Sequence, residues 1–150
     1  MDKSVFDKHH IHFDTEAKTQ KEAFRVIAHE AFTAGFVKDE TAYYEGMCAR
    51  EEEATTGFQD GIAIPHSKNE TCIKPGIFLV KFKHAIEWNA LDGKPVQVAL
   101  GLTIPEDGGE QHLRILSKLA RKMISEEFRT ALKTGTDVDA LYEVIAAVEL

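Results

Sequence analysis

Residues 57–68 constrain this chain more than any other segment, because two glycines, a short apolar run and a histidine follow one another there. Residues 62–64 are Ile-Ala-Ile, an alternation typical of a short buried strand. Pro65 has no N–H to donate to a sheet, and it biases Ile64 towards an extended conformation. We therefore predict a strand that ends just before His66, which would present the imidazole at a strand end, where side chains are well placed for chemistry.

Length and composition predict one domain that spans residues 1–150. A chain of 150 residues with 43% hydrophobic and 29% charged residues has the composition of a soluble globular protein. Its net charge of -7 argues against a nucleic-acid-binding protein, although a local basic patch remains possible. The sequence has neither the apolar core of a signal peptide nor an apolar run long enough to span a membrane, so we expect a cytoplasmic protein. Cys48 and Cys72 form no C-x-x-C pair and are expected to be reduced, packed thiols.

Five segments carry the signals of helices. We expect the first to begin near Gln20 behind a Thr-x-x-Glu capping box and to end at Gly35. The second is expected from about Glu40 to Arg50, because the three acids that follow Arg50 would lie at the negative pole of the helix dipole. The other three are expected from His112 with an inward stripe, from Ser125 to Leu132, and from the capping candidate at residues 136–139; the stripe is Leu113, Leu116, Ala120 and Met123.

Four segments carry the signals of strands, namely residues 9–13, 62–64, 77–82 and 96–104. Strands placed between helices predict an α/β fold with one mixed sheet covered by helices on both faces. The first segment would place His10 and His12 on one face, a spacing that could hold a metal. An edge strand with solvated histidines is the favoured interpretation, because no matching Cys, Asp or Glu cluster follows at ligand spacing.

The order of several motifs resembles a known family. Arg50, Thr56-Gly57 and Gly61-Ile62-Ala63-Ile64-Pro65-His66-Ser67-Lys68 resemble the signature of the IIA domains of the fructose/mannitol class (EIIA type 2) in the bacterial phosphoenolpyruvate-dependent sugar phosphotransferase system. Further matches occur in the family's order at Trp88, Leu91-Asp92-Gly93-Lys94-Pro95-Val96, Ile104-Pro105-Glu106, His112-Leu113 and Phe128-Arg129. The resemblance covers roughly residues 19–145.

This resemblance implies a mixed sheet with helices on both sides and assigns roles to three residues. It implies that His66 is the phosphorylated histidine, that His112 is its neighbour in the site and that Arg50 lines the same site. The chain departs from the family pattern at Thr55 and at Phe58-Gln59. These departures concern the rim of the site, so Phe58 and Gln59 are the candidates for selecting partner proteins.

The side chains themselves suit phosphoryl transfer. A neutral imidazole, with an unperturbed pKa of about 6.5, is a nucleophile at pH 7. His112 could donate a hydrogen bond to the phosphoryl oxygens, helped by the N–H groups of a helix start, and Arg50 supplies a permanent positive charge with forked donors. The chain has no Walker-type glycine loop, so ATP is not the expected donor, and neither a metal nor another cofactor is expected.

The resemblance also implies the partners. The phosphocarrier protein HPr would be the donor and a cysteine of a IIB domain the acceptor, during uptake of a fructose/mannitol-class sugar through a membrane permease. The first Met and the end soon after the last helix suggest a stand-alone subunit. Two alternatives stay open: a regulatory, nitrogen-type IIA domain in which phosphorylated His66 controls protein binding, and a metal-dependent enzyme that uses the histidines His9, His10, His12, His66 or His112.

Overall fold

A mixed sheet of six strands forms the centre of the fold in the computed structural model, which describes residues 2–107 and 109–148 apart from the side chains of residues 109, 111 and 112. The strands are β1 (Ile11–Asp14), β2 (Gly57–Gln59), β3 (Ile62–Ala63), β4 (His66–Asn69), β5 (Gly76–Ile86) and β6 (Val96–Pro105). The helices are α1 (Gln20–Thr33), α2 (Glu40–Glu53), α3 (Gly109–Lys122), α4 (Glu126–Thr134) and α5 (Val138–Ala146), and a short 3-10 helix covers Lys8–His10.

The strand order is β1-β5-β6-β3-β2, and β4 also pairs with β6. β5 and β6 are antiparallel, whereas β1 runs parallel to β5 and both β3 and β4 run parallel to β6. The prediction of a mixed sheet is therefore confirmed, and so is the edge position of the first strand.

Alternating side chains of β5 divide the core into two halves. Ile77 and Leu79 pack with the apolar faces of α3, α4 and α5, whereas Phe78 and Val80 pack with those of α1 and α2. Successive side chains of a strand point to opposite faces, so this division places helices on both faces of the sheet, as predicted. None of the helices within the described residues has the length and hydrophobicity needed to cross a membrane.

Side-chain caps begin α1, α2, α4 and α5. Thr19 accepts a hydrogen bond from the N–H of Glu22, and Asp39 and Ser125 accept equivalent bonds at the starts of α2 and α4, as predicted. The last helix is capped by Asp137 instead of the expected Thr136, because Asp137 reaches the N–H of Ala140.

Two helix predictions are wrong in detail. α2 continues beyond Arg50 to Glu53, because Arg50 Nη1 donates to the carbonyl of Ala54 and satisfies an acceptor at the negative pole. α3 begins at Gly109, before His112, and its buried side chains include Ile115 and Leu119. Leu113 is 68% exposed, so the inward stripe differs from the one read from the sequence.

The N-terminal histidines do not form the solvated set that was expected. The strand begins only at Ile11, and His10 lies in the preceding 3-10 helix. His10 is buried, with Nδ1 3.0 Å from the carbonyl of Ile77 and its ring stacked on Phe78. His12 instead lies beside Glu30, with 3.1 Å between Nδ1 and the carboxylate.

Candidate functional site

His66 begins β4 and is held against the long strand β6. β3 and β4 follow β6 in one constant register, in which Ile62 is opposite Val98 and His66 is opposite Leu102. Pro65 separates β3 from β4 but does not change their register with β6, because the carbonyl of Pro65 still accepts the N–H of Leu102 at 3.0 Å. β3 therefore ends before His66, as predicted, but the sequence did not predict β4, whose first residue is the histidine.

Helix α2 packs closely against β4 at Gly46. A Cβ atom on Gly46 would lie 2.2 Å from Ser67 Oγ and 2.7 Å from Asn69 Nδ2, so only glycine fits without a shift. Asn69 Nδ2 also donates to the carbonyl of Ala42 at 3.2 Å. This close approach fixes the end of α2, and with it Arg50, relative to His66.

The imidazole of His66 has a defined orientation. Its Nδ1 lies 2.8 Å from the carbonyl oxygen of Ile64, and a carbonyl can only accept a hydrogen bond. Nδ1 therefore carries the proton, and in the neutral ring the lone pair lies on Nε2. His66 is half-buried.

The surroundings of His66 favour the neutral ring. Burial lowers the pKa of His66, because desolvation disfavours the imidazolium, and the nearby positive charge of Arg50 acts in the same direction. The hydrogen bond to Ile64 and the negative charge of Glu51 act in the opposite direction, but the resulting pKa still lies below the ordinary value of 6.5. The surroundings of His66 thus favour the neutral imidazole at pH 7.

Arg50 and Glu51 place opposite charges beside the histidine. Arg50 is half-buried, and its Nη1 donates to the carbonyl of Ala54 at 2.8 Å. Glu51 accepts hydrogen bonds from both the N–H of Thr56, at 2.7 Å, and the hydroxyl of Thr56. The sequence interpretation missed Glu51, which it treated only as an acid at an unfavourable helix end; its position directly after Arg50 was the available signal.

Phe58 and Gln59 lie in β2 and contact the rest of the chain. Phe58 is partly buried against the core beneath α3, α4 and α5. Gln59 Nε2 donates to the carbonyl of Met123 at 3.2 Å, which joins β2 to the end of α3. The next residue, Asp60, has a φ of +57° and forms ion pairs with Arg129 at 3.2 Å and with Lys133 at 2.5 Å. These contacts anchor the loop that leads to His66.

The backbone of His112 lies near the start of α3, as the fourth residue of that helix. Its side chain is outside the described residues, so its approach to His66 stays a prediction. Within the described part of the chain, no three His, Cys, Asp or Glu side chains are grouped in a way that could hold a metal ion. Cys72 is buried and Cys48 is partly buried, and neither forms a disulfide.

The chain matches a family model described as "Phosphoenolpyruvate-dependent sugar phosphotransferase system, EIIA 2" over residues 4–148. The chain belongs to this family. It is therefore a IIA phosphoryl carrier of the phosphotransferase system. Among its relatives is the PTS system fructose-specific EIIA component of Haloferax volcanii, which is 35% identical over 87% of this chain and 84% of that protein.

Two solved structures of IIA proteins share the fold. Nitrogen regulatory protein IIA-Ntr from Neisseria meningitidis superposes with a TM-score of 0.86 and 26% identity, over 95% of this chain and 97% of that one. Enzyme IIAMTL of Escherichia coli, solved in complex with phosphorylated enzyme IIBMTL, superposes with a TM-score of 0.79 and 20% identity, over 94% of this chain and 96% of that one. The first of these is a regulatory protein, and the second binds a IIB component. The shared fold is therefore compatible with either kind of partner for this chain.

Proposed function

We propose that His66 Nε2 accepts a phosphoryl group from phosphorylated HPr and passes it to a cysteine of a IIB domain. The observation that carries this proposal is the contact between Nδ1 and the Ile64 carbonyl, because it leaves the lone pair of a neutral ring on Nε2. A lowered pKa keeps that lone pair available at neutral pH.

In the first half of the cycle, the Nε2 lone pair attacks phosphorus while the bond between phosphorus and the donor's histidine nitrogen breaks in line. The donor imidazole leaves with that electron pair, and His66 keeps its Nδ1 proton. In the second half, the cysteine thiolate attacks phosphorus and the electron pair of the P–N bond returns to Nε2. In each half of the cycle, only the phosphoryl group moves between the proteins, and the P–N or P–S bond that forms replaces the P–N bond that breaks.

Arg50 has two effects on this cycle. Its positive charge lowers the pKa of His66 before transfer, and it can offset the charge on the phosphoryl oxygens during transfer. We assign His112 the role of donating a hydrogen bond to the same oxygens, since its backbone lies near the N-terminal end of α3, where N–H groups favour an anion.

Sugar uptake is the process we propose for this carrier, with a fructose/mannitol-class substrate, a cytoplasmic location and a membrane permease as the final component. The fructose-specific relative and the IIA–IIB complex among the fold neighbours support this choice. Phe58 and Gln59 remain the proposed partner-selecting residues, although Gln59 is already bonded to Met123 and Phe58 is half-buried. The second candidate is regulation of another protein by phosphorylated His66, which the similarity to IIA-Ntr favours.

The test of the first step is labelling by phosphoenolpyruvate, Enzyme I and HPr. We expect His66→Ala to lose phosphoryl acceptance completely while its circular dichroism stays unchanged. His29→Ala is the matched control, because this exposed histidine pairs with Glu40 on another part of the surface. Labelling of the His66→Ala protein at the wild-type rate would refute the assignment.

The second step separates transport from regulation. The phosphorylated protein is mixed in turn with candidate IIB domains, and mass spectrometry follows the loss of 80 Da (one HPO₃ group, from atomic masses) from this chain and its gain by the partner. We expect His112→Ala to accept phosphate but to transfer it poorly. Unaltered transfer would remove His112 from the mechanism, and failure of every IIB domain to accept the group would favour the regulatory role.

A further inference from the structure

A continuous series of hydrogen bonds joins Glu51 to His66. The carboxylate of Glu51 accepts the N–H of Thr56 at 2.7 Å, and the carbonyl of Thr56 accepts the N–H of Ile64 at 3.0 Å. The carbonyl of Ile64 then accepts Nδ1 of His66 at 2.8 Å. Each link restrains the backbone of the residue that forms the next, so a shift of Thr56 would move Ile64 and its carbonyl.

Thr56 is itself fixed from two further directions. Its hydroxyl donates to the second carboxylate oxygen of Glu51 and accepts a hydrogen bond from Trp88 Nε1 at 3.4 Å. Trp88 is only 2% exposed, and the backbone of Gly57 lies so close to Ala90 that an added Cβ would be 2.6 Å from the Ala90 Cβ. A bidentate carboxylate on one side and a buried indole on the other leave Thr56 little freedom.

We propose that Glu51 is a positioning residue that holds Thr56, and through it the Ile64 carbonyl, where that carbonyl selects the tautomer of His66 with its lone pair on Nε2. The proposal rests on the function proposed above, in which Nε2 receives the phosphoryl group. Glu51 does not touch that group, and it acts only through the backbone of Thr56 and Ile64.

The three acids at the end of α2 support this assignment. Glu52 and Glu53 are exposed, whereas Glu51 is half-buried with both carboxylate oxygens bonded to Thr56. A negative charge at the C-terminal pole of a helix is unfavourable, so a carboxylate there requires a compensating interaction. Only Glu51 of the three has a hydrogen-bonded connection to the histidine among the described residues.

The charge of Glu51 also opposes that of Arg50. Both residues act on His66 from α2, and β6 places the apolar Leu102 opposite it. Since Glu51 raises the pKa of His66 and Arg50 lowers it, Glu51→Gln is expected to lower this pKa and Arg50→Gln to raise it. A residue that only supported the fold would not produce these opposite signs.

The main experiment measures the tautomer directly, in the unphosphorylated protein. Imidazole ¹⁵N and ¹H shifts of His66 at pH 7.5 should give a protonated Nδ1 and an unprotonated Nε2 in the wild type. We expect a mixture of both tautomers in Glu51→Ala and a smaller change in Glu51→Gln, which can still accept the N–H of Thr56. Glu52→Gln removes the same charge from the adjacent position and should leave the wild-type spectrum unchanged.

The functional readout is the rate of phosphoryl acceptance from HPr. Loss of one charge-assisted hydrogen bond predicts a fall on the order of tenfold for Glu51→Ala and no change for Glu52→Gln. If Glu51→Ala does not fold, Thr56→Val removes the hydroxyl link, with Thr56→Ser as the control that restores it, and the tautomer mixture is then expected only in the valine variant.

The outcomes distinguish this proposal from the proposed function. A wild-type tautomer in both Glu51 variants, with an unchanged rate, would overturn the role of Glu51. A wild-type protein that never accepts phosphate from HPr, but whose His66 tautomer responds to Glu51, would support the hydrogen-bonded series and refute the carrier chemistry at His66.

Discussion

Gly46→Ala is expected to separate α2 from β4 and thereby disturb the site at a distance. The added Cβ would lie 2.2 Å from Ser67 Oγ and 3.2 Å from Ser67 Cβ. Ordinary contacts begin near 3.4 Å, so the helix or the strand must move by about 1 Å. Since Arg50 and Glu51 lie one turn further along α2, that movement changes their approach to His66.

Two opposing effects determine the change in the free energy of unfolding. Alanine is favoured over glycine inside a helix by about 1 kcal/mol. Overpacking of a tight interface costs about 1–3 kcal/mol, and the 2.2 Å contact at Ser67 places this substitution towards the upper part of that range. We therefore expect a net destabilisation of about 1–2 kcal/mol, which for a chain of this size lowers Tm by about 2–8 °C.

Urea denaturation of a four-member cycle would test this reasoning. Ser67→Ala removes the Oγ that an alanine at position 46 would meet at 2.2 Å, but it leaves the contacts of 2.7 Å with Asn69 Nδ2 and 3.2 Å with the Cβ of residue 67. The double variant should thus recover part of the loss, with a favourable coupling of about 1 kcal/mol between the two sites. A Gly46→Ala protein as stable as the wild type, or additive effects in the double variant, would refute the argument from close packing.

Three further results are expected. Tyr43→Phe should destabilise the fold by about 1–2 kcal/mol in urea, because the buried hydroxyl donates to the carbonyl of Leu102 at 2.6 Å; an unchanged midpoint would contradict this. Asp60→Asn should lower Tm at pH 7 but much less at pH 3, because the hydrogen bond from Lys133 lowers the pKa of Asp60, and its stabilisation is lost as pH falls through that lowered value; an equal loss at both pH values would exclude the ion pair as the cause. The rate of phosphoryl acceptance should reach half of its high-pH value only below pH 6.5, because the pKa of His66 is lowered from that ordinary value; a midpoint above pH 6.5 would contradict the lowered pKa.

The α/β class, the mixed sheet and most helix starts could be predicted because local signals determine them. Capping residues at Thr19, Asp39 and Ser125 act within one turn of the chain, so the sequence alone contains the relevant contacts. The long strands are also local in origin, since β5 contains three β-branched and two aromatic residues and β6 contains four β-branched residues.

The features that the sequence did not reveal depend on contacts between distant segments. The extension of α2 through Glu53 follows from bonds to Ala54 and Thr56, which exist only once the loop has folded back. Pro65 does not prevent the pairing of His66 with β6, because β6 lies on the side of the proline's carbonyl, which can still accept a hydrogen bond. The sequence does not show on which side β6 lies. The buried stripe of α3 was ambiguous because two apolar series overlap in that helix, and packing against the sheet selects Ile115 over Leu113.

The contact between His66 Nδ1 and the Ile64 carbonyl also limits the order of events in a phosphoryl carrier. With one ring nitrogen occupied, a phosphoryl group would enter and leave through the other nitrogen, and hence from the same side of the ring. Donor and acceptor proteins would then bind in alternation at one place and compete for it. Transfer through such a site follows substituted-enzyme (ping-pong) kinetics. An excess of either partner protein then inhibits binding of the other, so the rate of transfer depends on the ratio of the two proteins as well as on their amounts.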